Sequence, residues 1–127
     1  MERTKAFKIG GKQFIAKFPN VGQIIDIDSL KQALSGNRYG SMAASGLTSA
    51  YYALDLIDAI SFYQVVCPEV ARYYNIRNYT ELELDKIEEL LTAWKEQIQP
   101  WYIETMNSLR NISKRAIEDA ESVNAEG

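Results

Sequence analysis

The stretch Ala6-Phe7-Lys8-Ile9-Gly10-Gly11-Lys12-Gln13-Phe14-Ile15-Ala16-Lys17-Phe18-Pro19-Asn20 decides the fold class. Two short segments flank a Gly-Gly pair, and glycine accepts the positive φ that tight hairpin turns require. Pairing Ile9 with Lys12 sets Phe7 opposite Phe14. Phe7, Ile9, Phe14 and Ala16 then share one face, which Phe18 extends. Lys8 and Gln13 take the other face, with Ile15 as its apolar exception. A lone hairpin is marginal in water, so the aromatic face must lie on a helix or on another chain.

After Pro19 the spacing becomes helical. Asn20 is a good N-cap and Gln23 stands at the reciprocal position of a capping box. A first helix is predicted from Val21 to Ser35, with Val21, Ile24, Ile25, Ile27, Leu30 and Leu34 as its buried stripe and Gly36-Asn37 as its stop. Residues Gly36 to Gly46 read as a flexible small-residue loop. A second helix is expected from about Leu47 to Cys67, apolar on much of its circumference, and Pro68 ends or kinks it. Glu69 to Tyr74 reads as a short helical turn and Asn75 to Tyr79 as a loop.

Thr80-Glu81-Leu82-Glu83 reads as a second capping box before the last helix. Leu84, Ile87, Leu91, Trp94 and Ile98 recur at spacings of three and four, and the stripe resumes past Pro100 in Trp101, Met106, Leu109, Ile112 and Ala116. One helix bent near Pro100 accounts for this pattern. Residues 84–117 either fold back on the body or project toward another chain. The predicted fold is α+β, mainly α, in one domain over 1–127. A β-hairpin over 1–19 leads into a helical body of three to four helices over 20–117, and an acidic tail over 118–127 should fray.

The 127 residues are 46% hydrophobic and 24% charged, a balance that supports a packed core without staples. The formal net charge of −3, from 14 basic and 17 acidic side chains, gives no general attraction to nucleic acid or to anionic membrane. A single cysteine, Cys67, precludes an intrachain disulfide and fits a reducing compartment. The start lacks the apolar run of a signal peptide, and Asp55, Asp58 and Gln64 interrupt the most apolar helix.

Catalytic chemistry has little to stand on. There is no histidine, which removes the commonest general base and metal ligand, and one cysteine cannot build a thiolate metal site. Gly36-Asn37-Arg38-Tyr39-Gly40 lacks the lysine and the preceding strand of a phosphate loop. Asp55 and Asp58 share a helix face at a spacing of three, as an acid-base pair would, but carboxylates on an apolar helix more often pair with a neighbouring cation. Cys67 has no base partner and reads as a small hydrophobe. No enzyme, cofactor or metal is expected. The eight tyrosines fit either an interface or a core with rings at its rim. The candidate protein-binding residues are Phe7, Phe14 and Phe18 on the hairpin, Arg38 and Tyr39 in the loop, and Trp94 and Trp101 on the last stripe.

Phe7 to Phe14 leads to Lys17-Phe18-Pro19-Asn20-Val21-Gly22-Gln23, then to Ile27-Asp28-Ser29-Leu30-Lys31-Gln32-Ala33-Leu34-Ser35 and Asn37-Arg38-Tyr39-Gly40. Leu56-Ile57-Asp58-Ala59-Ile60 and Pro68-Glu69-Val70 follow. This run resembles small proteins of tailed bacteriophages, especially the tail assembly chaperones. The resemblance reaches to about Val70 and has no counterpart for the C-terminal helix. It implies a short hairpin before a helical body. It also implies a non-catalytic protein that binds tape-measure and tail-tube proteins in the bacterial host cytoplasm and is generally not retained in the virion. Many such chaperones have a second, frameshifted form. No binding residue carries over from the family. The alternative is a virion structural protein, a neck, connector or capsid-associated subunit, that buries its apolar faces by self-association in a symmetric oligomer. Neither reading involves nucleic acid or membrane.

Overall fold

In the computed structural model, the backbone is described for residues 2–126 and the side chains for residues 2–112 and 114–118. Strands β1 (Thr4–Ile9) and β2 (Lys12–Lys17) form an antiparallel hairpin. Five helical segments follow, the last of them long and bent: α1 (Val21–Ser35), α2 (Tyr39–Ala44), α3 (Thr48–Val66), α4 (Pro68–Tyr74) and the helix running from Leu84. That last helix consists of α5 (Leu84–Ala93), a π turn over Trp94–Ile98 and α6 (Gln99–Glu126).

The hairpin has the expected register, with Phe7 opposite Phe14 and Ile9 opposite Lys12. Gly10 and Gly11 turn it at φ of 56° and 82°. Gly10 has a second constraint: a Cβ there would lie 2.6 Å from the Tyr73 hydroxyl. Phe7, Ile9, Phe14 and Ala16 are buried, as their shared face requires. Phe7 stacks on Phe14 with centroids 5.5 Å apart and meets Tyr63 of α3 at 6.1 Å.

Asn20 and Gln23 complete the capping box that starts α1, at 2.9 and 3.0 Å, and Gly36 closes the helix in the left-handed conformation. The stripe of α1 is narrower than its spacing suggests. Ile27 is buried and Leu34 half-buried, but Val21 is 79% and Ile25 59% exposed. The helix meets α3 along one edge, which leaves Ile24 and Leu30 half-buried and Val21 and Ile25 pointing outward.

The loop expected over Gly36–Gly46 contains α2. Tyr39 and Met42 anchor this short helix by partial burial, and the Tyr39 hydroxyl donates to Asp58 at 2.6 Å. Pro68 occupies the first turn of α4, where its missing N–H costs no helical bond. The capping box at Thr80 does not form. Instead Asn78 caps a 3-10 turn over Tyr79–Glu81, and α5 begins after Glu83 without a side-chain cap.

Proline at position 100 cannot donate, and its ring would clash with the Glu96 carbonyl in a straight α-helix. The turn before it widens, so that the Gln99 N–H reaches the Trp94 carbonyl five residues back. The π turn brings Gln97 against β1. Its side-chain amide accepts from Lys8 N–H at 2.9 Å and donates to Lys8 C=O at 3.0 Å. The outer edge of the hairpin is thus closed at Lys8 by a side chain that imitates a third strand. Trp101 adds a bond from Nε1 to the Glu2 carbonyl at 3.0 Å.

The core lies where the hairpin, α3 and the last helix meet. Tyr63 is fully buried and donates to the Leu90 carbonyl at 2.9 Å, while Phe62 packs on Trp94 at 5.0 Å. Among the described residues no helix is long and apolar enough to cross a membrane. The acidic end, read as frayed, continues as helix to Glu126.

Candidate protein-interaction surfaces

Most of the aromatic residues singled out as binding candidates are interior. Phe7, Phe14, Trp94 and Trp101 are buried within the chain and present no surface to a partner. Their aromatic faces are satisfied by one another and by Phe62, Tyr63 and Tyr102, which is why an apolar stripe mimicked an interface. Phe18 is half-buried, edge-on to Trp101 at 5.9 Å and stacked on Tyr102 at 5.4 Å.

Arg38 is exposed, but its Nε donates to the Ser35 carbonyl at 3.0 Å and so caps the end of α1. Tyr39 is tied to Asp58, and the Lys31 ammonium sits 5.3 Å from its ring centroid. Burial, followed by the bond to Asp58, raises the Tyr39 phenol well above its usual range, so it remains a donor.

The two aspartates of α3 are engaged separately. Asp58 pairs with Lys31 at 3.3 Å and Asp55 with Lys95 at 3.0 Å. Each carboxylate therefore ties α3 to a neighbouring segment. Cys67 is buried, and burial pushes its thiol up to about 12, far from the thiolate that nucleophilic chemistry needs. Among the described residues no group of three or more His, Cys, Asp or Glu side chains is placed to hold a metal ion.

Two apolar surfaces stand out instead. One is a groove of about 340 Å³ between α1, α3 and the start of α5. It is lined by Leu34 of α1, by Ala53, Leu56, Ile57 and Ile60 of α3, and by Leu82, Leu84 and Ile87 at the start of α5 and just before it. Leu84 is 68% exposed at its lip. The exposed acids Glu81, Glu83 and Asp85 interleave with Leu82 and Leu84. The sequence spacing places Leu84 at the start of the buried stripe, but burial begins at Ile87 and Leu84 stays exposed beside the groove. The groove itself depends on α1 lying across α3, a long-range arrangement.

The other surface is the distal part of α6. Trp101 and Thr105 are buried and Leu109 half-buried, but every described side chain beyond Leu109 is exposed, including Ile112 and Ile117. Compared with known protein families, with curated proteins and with solved structures, the chain matches none.

Proposed function

We propose that this chain is a non-catalytic protein-binding protein of phage morphogenesis. It acts as a tail assembly chaperone that holds an apolar helical segment of the tape-measure or tail-tube protein. The observation that supports this reading is the groove lined by Leu34, Leu56, Leu82, Leu84 and Ile87. Its aliphatic lining suits helix-in-groove recognition, in which an amphipathic helix lays its apolar face into a cleft. The acids beside Leu82 and Leu84 favour a segment that carries Lys or Arg next to its apolar stripe. Such a contact is reversible, as a chaperone in the host cytoplasm requires.

A virion structural subunit is the second reading. It draws on the exposed apolar positions of distal α6, which a permanent assembly would cover. Mass spectrometry of purified particles separates the two. A chaperone copurifies with tape-measure protein from infected cells and is missing from particles. Stoichiometric presence in particles would overturn the chaperone reading in favour of the subunit.

A further inference from the structure

The sheet is two-stranded, so β1 is the only strand beside β2. With Ile9 opposite Lys12 across a two-residue turn, the main-chain groups of Lys12, Phe14 and Ala16 face β1, and those of Gln13, Ile15 and Lys17 face away. Two contacts agree with this parity. Phe18 N–H donates to the Arg3 carbonyl at 2.7 Å, and Gln97 bonds the Lys8 main chain from outside the hairpin. Gln97 closes the β1 edge, but among the described residues nothing bonds the N–H or C=O of Gln13, Ile15 or Lys17.

The side chains along this open edge are not those of a strand that is merely protected from pairing. Such a strand carries charge at its centre. Here Ile15, 62% exposed, sits between exposed Gln13 and Lys17 on the outer face. A concavity of about 460 Å³, lined by Lys12, Gln13, Phe14, Ile15 and Glu69, lies against the strand and has room for a side chain of a neighbouring one. Lys12 and Glu69 are both present there, so a neutral side chain suits it. The hairpin is also the basic part of an acidic chain. Arg3, Lys5, Lys8, Lys12 and Lys17 stand against Glu2 alone, while the whole chain has a net charge of −3. None of these cations has an ion-pair partner among the described residues.

We infer that the β2 edge takes an extended acidic segment of another protein as a third strand. An aliphatic residue of that segment lies opposite Ile15 and a carboxylate opposite Lys17, two positions apart on one face. A second copy of the hairpin fits less well, because it would bring two basic strands together. A phosphate backbone or anionic membrane also fits less well. The lysines divide between the two faces, Lys5 and Lys12 on one and Lys8 and Lys17 on the other, and make no single patch.

The test is NMR amide exchange of the full chain, titrated with the blocked peptide Ser-Glu-Thr-Val-Thr-Glu-Ser. The sequence is palindromic, so a parallel or an antiparallel strand sets Val against Ile15 and Glu against Lys17. At roughly ten times Kd the peptide should slow exchange at Gln13, Ile15 and Lys17 by about tenfold. Lys17→Glu, an exposed change that breaks no ion pair, should weaken binding about fivefold at low salt. The same peptide with N-methyl groups on its Val and Thr amides should not bind, since it cannot complete the ladder. Equal binding of the methylated peptide, unchanged affinity in Lys17→Glu, or no amide protection overturns the inference. Preferential binding of oligodeoxythymidine or of phosphatidylglycerol vesicles overturns it in favour of a general anion surface. Protection of the same amides that grows with protein concentration alone overturns it in favour of a second copy. β2 shares no residue with the groove, so client binding there survives Lys17→Glu and the two readings fail separately.

Discussion

Replacing Trp94 with alanine tests whether this ring belongs to the monomer core. Trp94 is 4% exposed, and its ring centroid lies 5.0 Å from that of Phe62 and 6.2 Å from that of Tyr102. Truncating a buried aromatic residue to alanine costs about 3–5 kcal/mol, from lost burial and the cavity left behind. A chain of this size has about 5–15 kcal/mol in total, so the loss is a large fraction of its stability. Urea unfolding measures it. At an m-value of about 2 kcal/mol/M the midpoint should fall by about 2 M. Trp94→Phe should behave differently. The indole Nε1 is buried without a hydrogen-bond partner, and an unmet buried donor costs about 1–3 kcal/mol. Phenylalanine removes that donor and keeps an aromatic ring against Phe62. We expect its midpoint to stay within about 0.5 M of wild type, the equivalent of about 1 kcal/mol. If Trp94→Phe is as damaging as Trp94→Ala, the N–H is not an unmet donor and the reasoning fails. A near-neutral Trp94→Ala would remove Trp94 from the core altogether.

Two further outcomes follow from the polar contacts. Asp58→Ala should cost about 1–2 kcal/mol in urea unfolding, because it strips partners from both Lys31 and Tyr39 at a partly buried site. Asp55→Ala, which breaks a more exposed pair with Lys95, should cost under about 1 kcal/mol, and a reversed order would contradict the geometry. Cys67 titrates near 12 in the folded chain against 9.0 for the free group, because burial disfavours the thiolate. Its contribution is therefore fully present below pH 9.0 and is lost as pH rises from there toward 12. Unfolding midpoints should fall less steeply above pH 9.0 in Cys67→Ala than in wild type, and an identical fall would show that the thiol is not buried in this way.

The hairpin was legible in the sequence because its determinants are local. Gly10-Gly11 fixes the turn, and alternation fixes the register and the buried face. Asn20 and Gln23 were readable for the same reason, as partners three residues apart. Thr80 to Glu83 carry an equally good local pattern, yet the burial of Tyr79 coincides with a 3-10 turn that Asn78 caps instead. A local motif yields when a neighbouring ring has a better place in the core.

The aromatic candidates illustrate a second limit. A stripe through Trp94 and Trp101 shows that a helix face is apolar, but not whether the covering surface is its own hairpin or another chain. The chain's own hairpin and α3 supply that cover through long-range contacts, with Phe18 against Trp101, Gln97 against Lys8 and Phe62 against Trp94. Val21 and Ile25 show the opposite error: apolar spacing on α1 extends beyond the edge that α3 covers. Gln97 itself carries no periodic signal. Its role depends on the π turn ahead of Pro100.

The most direct measurement is a calorimetric titration of the purified protein with its tape-measure partner, comparing wild type with Leu84→Glu. Leu84 is 68% exposed, so the substitution should leave the unfolding midpoint unchanged within error. Burying a leucine side chain in a complex is worth about 1.5–3 kcal/mol, and a carboxylate in its place adds a desolvation cost. We expect affinity to fall at least about tenfold. Equal affinity in the two proteins would contradict a client held in this groove.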